Sequence, residues 1–209
     1  MPRSGAPAQY GKNVFINCPF DDNYRPIFRA IVFTVAAAGY LTRCTLEHED
    51  ASQVRITKIF RLIADSALSI HDVSRTELDE ANQLPRFNMP LELGAFLGAK
   101  QFGSPRHRRK RCLVLDRERF RYQKFISDIG GQDIRSHDGK PEGAIRAVRD
   151  WLRRDVRGLL LPGGTHLCIA YGRFTKELPE LCGAAKLDEA NLTYTDFSEM
   201  VATWLSTNG

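Results

Sequence analysis

The chain has 209 residues, 43% hydrophobic and 26% charged. That is enough for one sizeable core and excludes a disordered or collagen-like polymer. Of its formal charge of +5, all is local: removing Arg106, Arg108, Arg109, Lys110 and Arg111 of "RHRRKR" from the 30 basic residues leaves 25, matching the 25 acidic ones. A nucleic-acid-binding surface spread over the whole molecule is therefore excluded, and an acidic partner, RNA or DNA included, is expected only at that run.

The start "MPRSGAPAQYGK" carries no apolar signal core, and the apolar stretch 27–41 is interrupted by Arg29 and too short to span a bilayer. Five scattered cysteines show neither metal-ligand nor redox spacing, so a cytoplasmic protein without membrane contact is expected. "NVFINC" (13–18) reads as a buried strand closed by the turn "PFDDN", and 26–38 as a helix apolar nearly all round that ends at Gly39. "YLTRCTLE" (40–47) is a second strand. Ser52 would cap a helix over 54–65 whose inward stripe is Val54, Ile56, Ile59, Phe60, Leu62 and Ile63. "ALSIHDV" (67–73) is a third strand, and a polar connection, 74–88, leads to a helix opened by Asn88 as cap and Pro90 in its first turn. "RCLVLD" (111–116) and "QDIRSH" (132–137) supply two more strands on either side of a helix near 122–129. "PEGAIRAVRDWLRRDV" (141–156) is an amphipathic helix with Ile145, Val148, Trp151 and Leu152 inward.

Strands and helices alternating in this way predict an α/β, doubly wound, mostly parallel sheet, flavodoxin-like or Rossmann-like. From 159 onward the rhythm breaks and the residues read as helical, with Thr195 or Asp196 capping the last segment. The expected organisation is a flexible N-terminus (1–11), the α/β domain (12–158) and a helical extension (159–209) packed on it. Neither G-x-G-x-x-G nor G-x-x-x-x-G-K-[ST] follows a strand, which disfavours an ordinary dinucleotide dehydrogenase or a P-loop enzyme.

In such a sheet the strand C-termini share one crevice, where ligands bind. The rule gathers 17–24, 47–50, 72–75, 88–92 and 116–117. Glu92 is conspicuous: it stands among Leu91, Leu93, Ala95 and Phe96, on a helix with almost no polar face. In a first helical turn the macrodipole would hold it ionised. With Asp72 at the end of the third strand it makes a pair of carboxylates suited to anomeric chemistry, one attacking C1′ of a ribosyl group or stabilising its oxocarbenium character. Asn17, Tyr24, Ser74, Arg75 and Asn88 line the same edge. Asp21 and Asp22 read as turn and cap residues, and His71, which points to the strand face opposite Asp72, as a core histidine. His48, His107, His137 and His166 show no metal spacing, and Gly94 and Gly98 read as helix-packing positions.

"VFINCPFDDNYRPIF", "ADSALSIHDVSR" and "NMPLELGAFLGAK" resemble the nucleoside 2-deoxyribosyltransferase-like superfamily, and the same layout looks like a TIR domain that cleaves NAD. The resemblance covers roughly 12–155 and implies that Glu92 is the glycosyl nucleophile, that Asp72 orients the sugar or assists proton transfer, and that Phe20 lies by the base. Cys18 and Pro19 stand where the family has a Gly-Pro-Phe-like turn, and Asn88 where an acidic residue is usual. The expected ligand is a nucleoside or nucleotide; no metal or cofactor is implied, NAD would be consumed as substrate, and a homo-oligomer is expected. The rival expectation is a non-catalytic module that senses a nucleotide or assembles with partners.

Overall fold

Short runs of buried residues pair into one sheet whose five strands all run parallel. The computed structural model describes residues 7–47, 52–78, 83–153 and 160–208. The strands are β1 (Asn13–Asn17), β2 (Leu41–Arg43), β3 (Leu68–Asp72), β4 (Arg111–Asp116) and β5 (Ile134–Ser136), in the order β2-β1-β3-β4-β5. Every residue of β1 and β3 is buried, the polar Ser69, His71 and Asp72 included.

The helices are α1 (Pro7–Tyr10), α2 (Arg25–Ala37), α3 (Arg55–Asp65), α4 (Asn88–Phe102), α5 (Pro141–Leu152), α6 (Gly164–Ala185) and α7 (Tyr194–Asn208). Strand alternation divides the side chains between two faces. Val14, Ile16, Leu68, Ile70, Leu113 and Leu115 join one core with α2 and α5, behind which α6 and α7 add Phe174, Val201 and Trp204. Phe15 on the other face meets Ile59, Leu62 and Ile63 of α3 and Phe96 of α4. Val73 and Val114 meet Leu93 there. The fold is thus a doubly wound α/β sheet with a C-terminal helical part.

Several boundaries differ from expectation. The second strand keeps only three residues before a 3-10 turn over Thr45–Glu47, because Glu47 folds back to accept from the Cys44 amide at 2.7 Å and pairs with Arg43 at 2.8 Å. Val54, not Ser52, occupies the N-cap of α3, and Val54 and Phe60 of the predicted stripe are 66% and 52% exposed. Phe87, not Asn88, stands at the N-cap of α4, and neither residue makes a side-chain cap there. The helix predicted near 122–129 is instead two 3-10 turns, Arg121–Lys124 and Ser127–Ile129. α5 ends at Leu152; residues 154–156 of that prediction lie outside the described residues, as do 48–50 of the predicted crevice. Thr193, rather than Thr195 or Asp196, caps α7: its hydroxyl accepts from the Asp196 amide while Asp196 accepts from the Thr193 amide at 3.0 Å.

The basic run lies between α4 and β4, at the sheet edge opposite the strand C-termini, but it is not simply a solvated loop. Lys110 is 1% exposed. Its ammonium donates to the backbone carbonyls of Ile63 (2.5 Å) and Ser66, and Arg106 donates to that of Ala64 at 2.9 Å. These are carbonyls of the last turn of α3 and its C-cap, where that of Ile63 otherwise accepts only from the Ser66 amide at 3.4 Å. The predicted cation cluster therefore closes a helix C-terminus, and burial lowers the Lys110 pKa to about 8.

Candidate functional site

The C-terminal strand edge gathers the predicted residues, but from two sides of the sheet. Asn17 ends β1 on the side of α4, where its amide nitrogen donates to the Met89 carbonyl and to His71 Nδ1, both at 3.0 Å. His71 is the expected core histidine: it packs edge-on against Phe15 and Phe96, and burial lowers its pKa to about 3. Asn17 thereby fixes the start of α4 to the end of β1.

Glu92 hangs from that helix. It is the fifth residue of α4, one residue further in than an Asn88 cap implies, so no acid stands in the first turn and the macrodipole gives it little support. With Met89, Leu93 and Phe96 it forms the sheet-facing side of the helix and is 5% exposed. Burial raises its pKa to about 7, against a downward pull from Arg55. The expectation of a carboxylate held firmly ionised is overturned: the group is desolvated rather than dipole-stabilised. Among the described residues its carboxyl has no hydrogen-bond partner.

Asp72 is turned the other way. It follows Leu68 and Ile70 in alternation, so its side chain belongs to the α2 and α5 face, while Glu92 comes from the α3 and α4 face. Asp72 is 0% exposed, and only one of its two oxygens is hydrogen-bonded among the described residues. Its Oδ1 accepts from the Ser74 amide at 2.8 Å and from the Ser74 hydroxyl, and its Oδ2 lies 3.1 Å from His137 Nε2. His137 Nδ1 accepts from the Gly139 amide at 3.0 Å, while Nε2 and Asp72 Oδ2, though close, make no hydrogen bond among the described residues. The Tyr24 ring packs edge-on against His137, and the Asp72 charge adds to burial in raising the Tyr24 pKa well above its usual value. The two carboxylates thus come to the strand edge from opposite faces. Between them sits Cys18, whose thiol is pushed well up by burial and then by the charges of Asp72, Cys44 and Glu92.

The remaining predicted residues are distributed around this line. Pro19 is buried and Phe20 half-buried, the latter edge-on to Phe28 in a small cleft shared with Leu46, Tyr194 and Phe197. Arg75 ties the loops after β1 and β3 together through Asp21 at 3.4 Å. Asn88 is exposed at the start of α4. Asp21 accepts from the Tyr24 amide, as a turn residue should, and Asp22 pairs with Arg25.

Two residues were missed. Arg121, 9% exposed, donates to Asp116 Oδ1 and to the Val73 and Ser74 carbonyls, at 3.2 and 2.7 Å for the last two, and so anchors the loop after β3 to the end of β4. His137 was judged by metal spacing alone. Extending the strand-end rule to the fifth strand would have found it, since it directly follows β5.

Compared with known proteins, the chain matches no family model and no curated protein.

Proposed function

We propose that the protein cleaves the N-glycosidic bond of a nucleotide, with Glu92 as nucleophile and NAD as the best-fitting substrate. One observation carries the reading: Glu92 is a buried carboxyl without a hydrogen-bond partner among the described residues, raised to about 7, at the strand edge where such sheets bind ligands. A group so costly to bury is retained where its reactivity is used.

In this scheme the ionised Glu92 oxygen bonds to C1′ as the C1′–N bond breaks, and the bonding pair leaves with the base. Water then attacks the glycosyl ester, gives up a proton, and releases ribosyl product and free carboxylate. Asp72, engaged by Ser74 and His137 on the other face, serves as an anchor that orients the site rather than as a second acid. That choice bears on the substrate. A neutral nucleoside needs a proton donor for its departing base, whereas the positively charged nicotinamide of NAD leaves as a neutral molecule without one. The scheme therefore favours NAD.

The test is incubation with NAD and a panel of nucleosides and nucleotides, with products resolved by chromatography. Release of nicotinamide by the parent protein and its loss in Glu92→Gln are expected, because the amide keeps the shape but cannot attack. Undiminished release by Glu92→Gln would refute the nucleophile. The non-catalytic sensing module is favoured by one feature, the engagement of Asp72 Oδ1 by Ser74 on the face away from Glu92; nucleotide binding without any product would establish it. An acidic partner, if one binds the basic run, is left chiefly with the exposed Arg108 and Arg109, and Arg108→Gln with Arg109→Gln should weaken salt-sensitive retention on nucleic acid.

A further inference from the structure

We infer that the outer face of α4 is the interface of a two-fold dimer of this chain. A helix that is apolar all round is normally covered on both sides; among the described residues, α4 is covered on one. Its inner side, Met89, Leu93 and Phe96, lies on the sheet. Diametrically opposite, Phe87, Leu91, Gly94, Gly98 and Phe102 follow one another at i, i+4, i+7, i+11 and i+15, a single stripe that begins at the N-cap and runs the length of the helix. Phe87, Leu91 and Phe102 are 65%, 61% and 85% exposed. A Cβ added to Gly94 or Gly98 would meet nothing within 4 Å. The sequence suggested that these glycines admit a neighbour within the fold; the structure turns both of them outward, with the place beside them open.

The shape of the stripe selects the occupant. It is flat in the middle and bulky at both ends, so it complements a second copy of itself laid antiparallel across it. Centred between the glycines, such a pair sets Gly94 against Gly98 of the second copy and Leu91 beside its Phe102. Each contact then occurs twice, as an isologous interface requires. Without side chains at the crossing, the axes can approach to the short end of the usual range of about 8–10 Å. The area is sufficient in kind: at roughly 150–250 Å² for a whole aromatic side chain, the three exposed residues offer on the order of 400 Å² of apolar surface. A standard interface covers about 800 Å² per partner, roughly two-thirds of it apolar in homodimers. The stripe thus supplies most of the apolar centre, and its surroundings the rim.

The inference does not depend on the proposed activity, and sedimentation of the full chain over a concentration series tests it. The parent protein should be dimeric at micromolar concentration. Leu91→Lys places a charge in the centre of the contact. Gly94→Leu adds bulk where the protomer has open space and a better helix former than glycine, so the fold is kept while the two helices are held apart. Both should weaken association by about tenfold or more with unchanged far-UV circular dichroism. Ile169→Lys, a control 60% exposed on α6, should leave it intact. A parent protein that stays monomeric at every concentration, or dimers that survive both substitutions, would overturn the inference. So would a monomer that floats with lipid vesicles, since the stripe would then face a membrane.

Discussion

Glu92 and His137 are both buried polar side chains at the strand edge. Burial raises the Glu92 pKa from 4.5 to about 7, so folding takes up a proton between those values. Its contribution favours the folded state below about pH 4.5 and is lost as pH rises through about 7. Thermal melts of Glu92→Gln should therefore match the parent protein near pH 5 and exceed it at pH 8, by roughly 2 kcal/mol after allowance for screening. Equal stability at both pH values would mean that the carboxyl is solvated. Turnover should rise over the same interval, since only the ionised group attacks. His137 acts through Asp72. His137→Ala removes the ring that lies 3.1 Å from Oδ2 and accepts from the Gly139 amide, and should cost about 1–3 kcal/mol in denaturant melts. His137→Gln, which retains an N–H donor, should recover part of it. The oddity of Glu92 was legible in its neighbours along the chain. Its raised pKa was not, because burial arises only when α4 packs on the sheet, and the opposing pull of Arg55 comes from α3, distant in sequence.

The elements that sequence periodicity located well are those whose register is set by burial alone. β4 occupies its predicted residues, and α5 buries Ile145, Val148, Trp151 and Leu152 as predicted. Where a polar group decides, periodicity fails: Glu47 cuts β2 short, and Arg121 pulls the segment after β4 into 3-10 turns that hold the neighbouring loop. The basic run teaches the same lesson at a helix end. Its charges looked like surface because nothing in "RHRRKR" records that α3 ends beside it. Lys110→Met should strand the Ser66 carbonyl, leave that of Ile63 with the Ser66 amide at 3.4 Å, and lower stability by about 1–3 kcal/mol, measured by urea denaturation. Arg106→Ala, which removes an exposed donor, should cost less than about 1 kcal/mol. Equal costs would show that Lys110 is not the principal cap.

Across the whole molecule, the boundary near 159 marks a change of rhythm in the sequence but not an end of the core. The outer side of α2 is covered by the extension: Phe33 lies 5.5 Å from the Phe174 ring and 5.8 Å from that of Trp204, centre to centre. Phe33, Phe174 and Val201 are each 0% exposed, in the same cluster as Val14 and Ile16 of the sheet. Polar contacts follow the same path, since Tyr194 donates to the Thr42 carbonyl of β2 at 2.8 Å and Tyr171 to the Pro26 carbonyl of α2 at 3.3 Å. Removing residues 159–209 would expose an aromatic face on α2 and leave its apolar circumference half in water. A chain ending at 158 should thus lose its cooperative thermal transition and bind a hydrophobic dye while keeping much of its far-UV circular dichroism. A sharp melt from the shortened chain would instead make the α/β unit self-sufficient and the extension a separate attachment. The two outcomes assign Phe33 opposite roles, as a core residue shared by three helices or as a docking surface for two of them, and Phe33→Ala in the full chain separates them. As a core residue it should cost about 3–5 kcal/mol, whereas at a separable contact the loss would appear only in the attachment of the extension.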